Sequence, residues 1–144
     1  MSRVNLQEVE DKWAARMFEQ LPFVFVYGTL KKGCGNNTLL SSSTYLGDAI
    51  TEEKGLLIQM GCPYYVPAHE HDKALPILGE LYQLDGPTTC RQLDRLEGYP
   101  SHYNRKVIRT TDGDHAWMYY VRPSALNGHT VVACPTIHGV YLWT

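Results

Sequence analysis

The chain has 144 residues, 44% of them hydrophobic and 19% charged, and a formal net charge of -2. That length fits one domain around one core, the composition excludes a disordered chain, and the charge argues against a general binder of nucleic-acid phosphates, which needs a basic surface. No apolar run approaches the roughly 18 residues of a membrane span, and Glu8, Glu10 and Asp11 interrupt any basic-then-apolar leader, so a cytoplasmic protein with no membrane partner is expected.

From the N-terminus, residues 5–21 read as an amphipathic helix, with Asn5 and Glu8 as a capping box. Leu6, Val9, Trp13, Met17 and Leu21 recur at helical spacing and form a face for packing on the core or on a partner. Pro22 ends the helix. Phe23-Val24-Phe25-Val26-Tyr27 is a continuous β-branched and aromatic run, hence a buried strand. Gly28 breaks it, and residues 31–37, rich in glycine and asparagine, form a loop. Residues 38–45 suggest a short helix or turn. Strands are expected at 49–53, 55–59, 64–67 and 78–84, the last with clean alternation that leaves one face wet or lining a cavity.

Asp85-Gly86-Pro87 opens a second helix, since proline suits a first turn. Cys90, Leu93 and Leu96 give it an apolar stripe, and Gly98 closes it as a left-handed cap. Two further strands, 105–110 and 116–121, flank the turn Thr111-Asp112-Gly113-Asp114, and residues 131–143 read as mixed strand and loop. Short strands with few helices indicate an α+β fold with a strongly curved or barrel-like sheet. The chain divides into an N-terminal helical extension, 1–21, and one domain, 22–144.

Two features carry chemistry. Glu97 ends its helix, where the backbone dipole is negative. That position raises a carboxyl pKa, as burial does, and fits it for acid/base work near neutral pH. Asp94, one turn earlier, adds like-charge pressure or simply meets solvent. Tyr27-Gly28-Thr29-Leu30 is a strand that stops at glycine, so a ligand can approach the backbone closely and successive amides can form an anion site. Taken singly, Glu97 reads as a surface glutamate beside a cap and the turn as an ordinary strand exit. Together they are more specific.

Other candidates are weaker. His69-Glu70-His71 places two imidazoles on one face of a strand, but further ligands are not evident and a solvated loop is the simpler reading. Cys34 lies in a basic loop, a setting that lowers a thiol pKa, without an assigned histidine partner. Cys34, Cys62, Cys90 and Cys134 form no Cys-x-x-Cys pair and read as free thiols. Lys31 and Lys32 can steer an anionic substrate or merely be exposed. Trp13, Trp117 and Trp143 read as core or interface anchors.

The motif series Tyr27-Gly28-Thr29-Leu30-Lys31-Lys32-Gly33, Gly79-Glu80-Leu81-Tyr82, Leu93-Asp94-Arg95-Leu96-Glu97-Gly98-Tyr99-Pro100, Tyr103-Asn104-Arg105 and Ala116-Trp117-Met118-Tyr119-Tyr120-Val121 resembles the γ-glutamylcyclotransferase-like family. Its γ-glutamylamine cyclotransferase branch and AIG2-like proteins are the nearest look, over about residues 23–122. The resemblance implies a small mixed β-barrel flanked by helices. It also implies release of 5-oxoproline from a γ-glutamyl amine or peptide, with Glu97 as acid/base and Tyr27, Gly28, Thr29 and Leu30 as the substrate loop. Tyr103 and Tyr119 or Tyr120 match tyrosines near the pocket.

The reaction suits these residue types. The α-amine attacks the side-chain carbonyl within one molecule, so neither an enzyme nucleophile nor a metal or cofactor is required, and one carboxyl can take and return the proton. The turn amides can hold the α-carboxylate or the developing oxyanion. The turn usually lies near the N-terminus in this family, whereas about twenty residues precede it here; that helix covers the pocket or builds a homodimer. A non-catalytic ligand-binding module and a protein-interaction subunit are the rival readings.

Overall fold

The computed structural model describes residues 5–126 and 132–143. Helix α1 (Leu6–Gln20) leads into β1 (Phe23–Val26), followed by a 3-10 turn at Gly35–Leu40. Then come β2 (Thr44–Ile50), the β3 (Leu56–Met60) and β4 (Cys62–Val66) hairpin, β5 (Leu78–Gln83) and α2 (Pro87–Glu97). Strands β6 (Asn104–Arg109) and β7 (His115–Tyr120) follow, then a 3-10 turn at Pro123–Leu126 and the short pair β8 (Thr136–Ile137) and β9 (Val140–Tyr141). Val131, where the tail reading begins, lies outside the described residues.

The main sheet has five strands in the order β2-β5-β1-β7-β6. All pairs are antiparallel except β1 with β7. Central β1 is covered on both faces, which explains its unbroken apolar sequence. Val24 and Val26 join a cluster with Phe18, Cys90, Leu93, Trp117 and Tyr119 on the helical side. Phe25 and Tyr27 join Leu57, Tyr65, Ile77, Met118 and Tyr141 on the other. Gly79 is needed where β5 crosses β1, because a Cβ there would lie 2.4 Å from the Val26 carbonyl oxygen.

The fold is α+β as expected, but the sheet does not close into a barrel. The outer strands β2 and β6 meet only at their ends, through an isolated bridge between Thr51 and Thr110, so the sheet curls and stays open. Strand β2 starts at Thr44 rather than Ala49, because a bulge at Gly47 (φ 126°) lets pairing continue across the glycine. The alternation of β5 is only partial: Leu81 and Tyr82 are both buried under opposite clusters, while Glu80 is half-buried and Gln83 exposed.

Helix α1 packs differently from its apolar stripe. Val9, Trp13 and Met17 are 40%, 60% and 50% exposed, and Phe18, outside the stripe, is wholly buried. Those three residues therefore do not pack on this chain's core. Among the described residues no helix is long and apolar enough to cross a membrane.

Candidate functional site

Glu97 is the last residue of α2. Gly98 takes the left-handed conformation (φ 63°, ψ 36°), its amide reaches the Arg95 carbonyl, and the Tyr99 amide reaches the Asp94 carbonyl at 2.9 Å. This double closure is a Schellman cap, which only glycine adopts readily. The Glu97 carbonyl then accepts the Tyr103 amide at 3.1 Å, so the helix end and the start of β6 are tied together.

The chain leaves β1 at Tyr27 and turns at once, with the Lys31 amide donating to the Gly28 carbonyl at 2.9 Å. Asparagines brace the turn. The Asn36 side-chain amide donates to Thr29 Oγ1 at 2.9 Å, and the Asn37 side-chain amide donates to the Leu30 carbonyl at 2.8 Å and to the Tyr82 hydroxyl at 3.2 Å. The backbone amides of Gly28, Thr29 and Leu30 donate to no acceptor among the described residues. A Cβ at Gly28 would sit 2.7 Å from Pro63 Cγ, so β4 presses on the turn and only glycine fits.

These elements line a partly open cavity of about 50 Å³. Its wall contains all seven residues named from the sequence, Tyr27, Gly28, Thr29, Leu30, Glu97, Tyr103 and Tyr119, together with Phe25, Val26, Cys62 and Pro63. Tyr120, the alternative to Tyr119, is not among them. Burial, with the Asp94 carboxylate as a second cause, pushes the Glu97 carboxyl up to about 7. Such a group changes charge within the cellular pH range.

The tyrosines differ in their availability. The Tyr27 hydroxyl donates to the Tyr119 carbonyl at 2.9 Å and accepts the Tyr65 amide at 3.3 Å, so it stitches β4 to β7. The Tyr119 hydroxyl donates to Asp94 at 2.6 Å. Tyr103 stacks flat on Tyr64 with ring centroids 5.7 Å apart, and burial raises its hydroxyl well above the ordinary tyrosine value.

Two polar partners were not assigned from the sequence. Arg105 holds Asp94 in a two-pronged ion pair, Nε to Oδ1 at 3.0 Å and an Nη to Oδ2 at 3.2 Å. It does so in a box of Phe18, Tyr99 and Trp117. The available signal was an arginine at an inward position of a strand. Glu80 accepts the Lys32 amide and the Tyr82 hydroxyl, both at 2.9 Å, and so anchors the loop after Leu30.

The remaining candidates lie apart from the cavity. Lys31 donates to the Trp143 carbonyl, and the Lys32 ammonium sits 3.3 Å over the Tyr45 ring. His69, Glu70 and His71 are exposed, and the His71 ring accepts the Lys73 amide at 3.0 Å. Among the described residues no three His, Cys, Asp or Glu side chains cluster as metal ligands would. Cys34 is half-buried at the head of the 3-10 turn.

The chain is similar to known proteins. A relative in Methanocaldococcus jannaschii is 35% identical over 105 residues, spanning 69% of this chain and 84% of its own. The gamma-glutamylcyclotransferase family protein of Escherichia coli K12 is 34% identical over 101 residues, spanning 69% of this chain and 83% of its own. The crystal structure of an AIG2-like protein from Mus musculus superposes with a TM-score of 0.62 at 25% identity, covering 86% of this chain and 96% of that one. The Kluyveromyces lactis urea amidolyase, at 16% identity and a TM-score of 0.63 over 83% of this chain and 7% of its own, shares the fold alone. The sequence profile described as gamma-glutamyl cyclotransferase, AIG2-like, matches residues 24–137 and thus spans the turn, the glutamate and the strands that join them. By this match the chain belongs to the gamma-glutamyl cyclotransferase, AIG2-like family.

Proposed function

We propose that this protein converts a γ-glutamyl amine or peptide to 5-oxoproline and a free amine. The observation that carries the reading is one carboxyl, Glu97, pushed up to about 7 and lining the same small cavity as Gly28, Thr29 and Leu30, whose amides meet no acceptor among the described residues.

Glu97 takes a proton from the substrate's α-ammonium. The freed amine attacks the γ-carbonyl carbon, a C–N bond forms, and the five-membered ring closes. The bond to the leaving nitrogen then breaks as Glu97 returns the proton to it, and the second proton shed by the ring nitrogen goes to the released amine, which departs as an ammonium. Because both reacting groups belong to one molecule, the enzyme contributes by folding the substrate into the attacking geometry, and effective molarities for such ring closures are large. The amides of the turn hold negative charge, either the α-carboxylate that orients the substrate or the oxygen that becomes anionic during attack. The Tyr64–Tyr103 stack supplies an apolar wall beside Glu97.

A panel of γ-glutamyl amines and γ-glutamyl peptides, read out as 5-oxoproline, tests this. Release from at least one member is expected, with kcat/KM falling as pH drops below about 7, where the base becomes protonated. Glu97→Gln should abolish release. Turnover that survives this substitution removes Glu97 from the mechanism.

A further inference from the structure

Helix α1 lies ahead of the segment matched to the family, 24–137, yet its Phe18 side chain reaches the residues behind the site. Phe18 is wholly buried, and its ring centre lies 4.6 Å from the guanidinium carbon of Arg105. Tyr99 at 4.2 Å and Trp117 at 4.7 Å complete the box, and Phe18 and Trp117 rest on each other with centroids 5.9 Å apart. A planar guanidinium between aromatic faces loses its freedom to rotate, so its fork stays aligned with a carboxylate. That carboxylate is Asp94, at 3.0 and 3.2 Å, and one of its oxygens also accepts the hydroxyl of Tyr119 in the cavity wall.

We propose that α1 is a working part of the site, and that Phe18 is a positioning residue which holds Arg105 on Asp94 and through Asp94 sets the Tyr119 hydroxyl and the charge around Glu97. The proposal rests on the reading of Glu97 as the proton carrier. The titratable groups that face Glu97 are Asp94 on its own helix, Tyr27 after β1, Tyr64 in β4, Tyr103 before β6 and Tyr119 in β7. Cys62 joins them in the cavity wall. The tyrosines are raised and stay neutral, so Asp94 is the anion that acts on Glu97 and Arg105 is the cation that offsets it. If the guanidinium backs away, Asp94 repels the Glu97 carboxylate more strongly and the Glu97 midpoint rises.

Phe18→Leu keeps apolar bulk and removes the aromatic face; Arg105→Lys keeps the charge and removes the fork. The first readout is a carbon-13 titration of the Glu97 carboxyl in the full chain without substrate. The wild-type midpoint is expected near 7, and each variant should raise it by about 0.5 pH unit. The second readout is 5-oxoproline release, where each variant should lower kcat about tenfold and leave KM within about twofold. Because both residues act through one contact, adding Phe18→Leu to Arg105→Lys should change either readout little.

Independent effects that multiply in the double variant, or a Phe18→Leu protein with the wild-type midpoint, overturn the proposal. If the wild-type protein releases no 5-oxoproline from any substrate, the enzymatic reading fails while the titration still decides the role of Phe18. Should Phe18→Leu not fold, as judged by circular dichroism, Phe18→Met carries the same comparison.

Discussion

The Tyr27 hydroxyl separates a structural role from a substrate-binding one. It donates to the Tyr119 carbonyl at 2.9 Å and accepts the Tyr65 amide at 3.3 Å, and Tyr27, Tyr65 and Tyr119 are 7%, 0% and 4% exposed. Tyr27→Phe keeps the ring and its packing on Tyr65, 6.1 Å away between centroids, but leaves one buried carbonyl and one buried N–H without this partner. Each orphaned group costs about 1–3 kcal/mol. After allowance for the easier burial of phenylalanine, the loss comes to about 3 kcal/mol, or a drop in Tm of about 10 °C for a domain of this size. Thermal denaturation followed by circular dichroism measures that drop, and initial rates of 5-oxoproline release measure KM, expected within about twofold of wild type because the hydroxyl is occupied inside the protein. A variant with wild-type Tm and a KM raised tenfold or more would refute the argument and make the hydroxyl a substrate contact.

Two further outcomes follow from the same wall. The folded Glu97 carboxyl binds its proton up to about 7, against 4.5 for an ordinary glutamate. The unfolded chain therefore holds fewer protons between those values, and wild-type stability falls as pH rises through that window. Glu97→Gln removes this cost, so urea denaturation should find the variant more stable by on the order of 2 kcal/mol at pH 8 and no more stable at pH 4; an equal effect at both pH values would contradict the raised pKa. Gly28→Ala puts a methyl 2.7 Å from Pro63 Cγ, so the turn must move and take its amides with it. The expected result is a drop of about tenfold or more in kcat/KM with a Tm loss of a few degrees, and an unchanged kcat/KM would show that the amide geometry does not matter to the reaction.

Local physics made much of the fold readable from the chain. β1 and α2 announce themselves by an uninterrupted apolar run and by proline and glycine at the two helix ends, and they emerge within a residue or so of the expected bounds. The seven residues named as a site also line one cavity, because a strand exit and a helix exit are fixed by glycines visible in the sequence. Non-local choices were hidden. Periodicity finds the stripe of Val9, Trp13 and Met17 but cannot say which face of α1 meets the sheet, and the packing residue was Phe18. The bulge at Gly47 made a strand look like a break. Barrel closure depends on whether two distant edges pair along their length, and here their backbones meet around a single isolated bridge, Thr51 with Thr110. The Arg105–Asp94 pair joins β6 to α2, and no spacing rule links those two positions.

An open sheet has a consequence beyond the site. Its two outer strands are borders on which another extended chain could template itself, the first step toward aggregation. Both borders are blunted. Gly47 twists β2 out of a regular hydrogen-bonding row, while β6 carries Lys106 and Arg109, each paired with a glutamate, Glu53 and Glu52, from the chain beyond β2. A newcomer strand would have to straighten the first border or displace charge from the second.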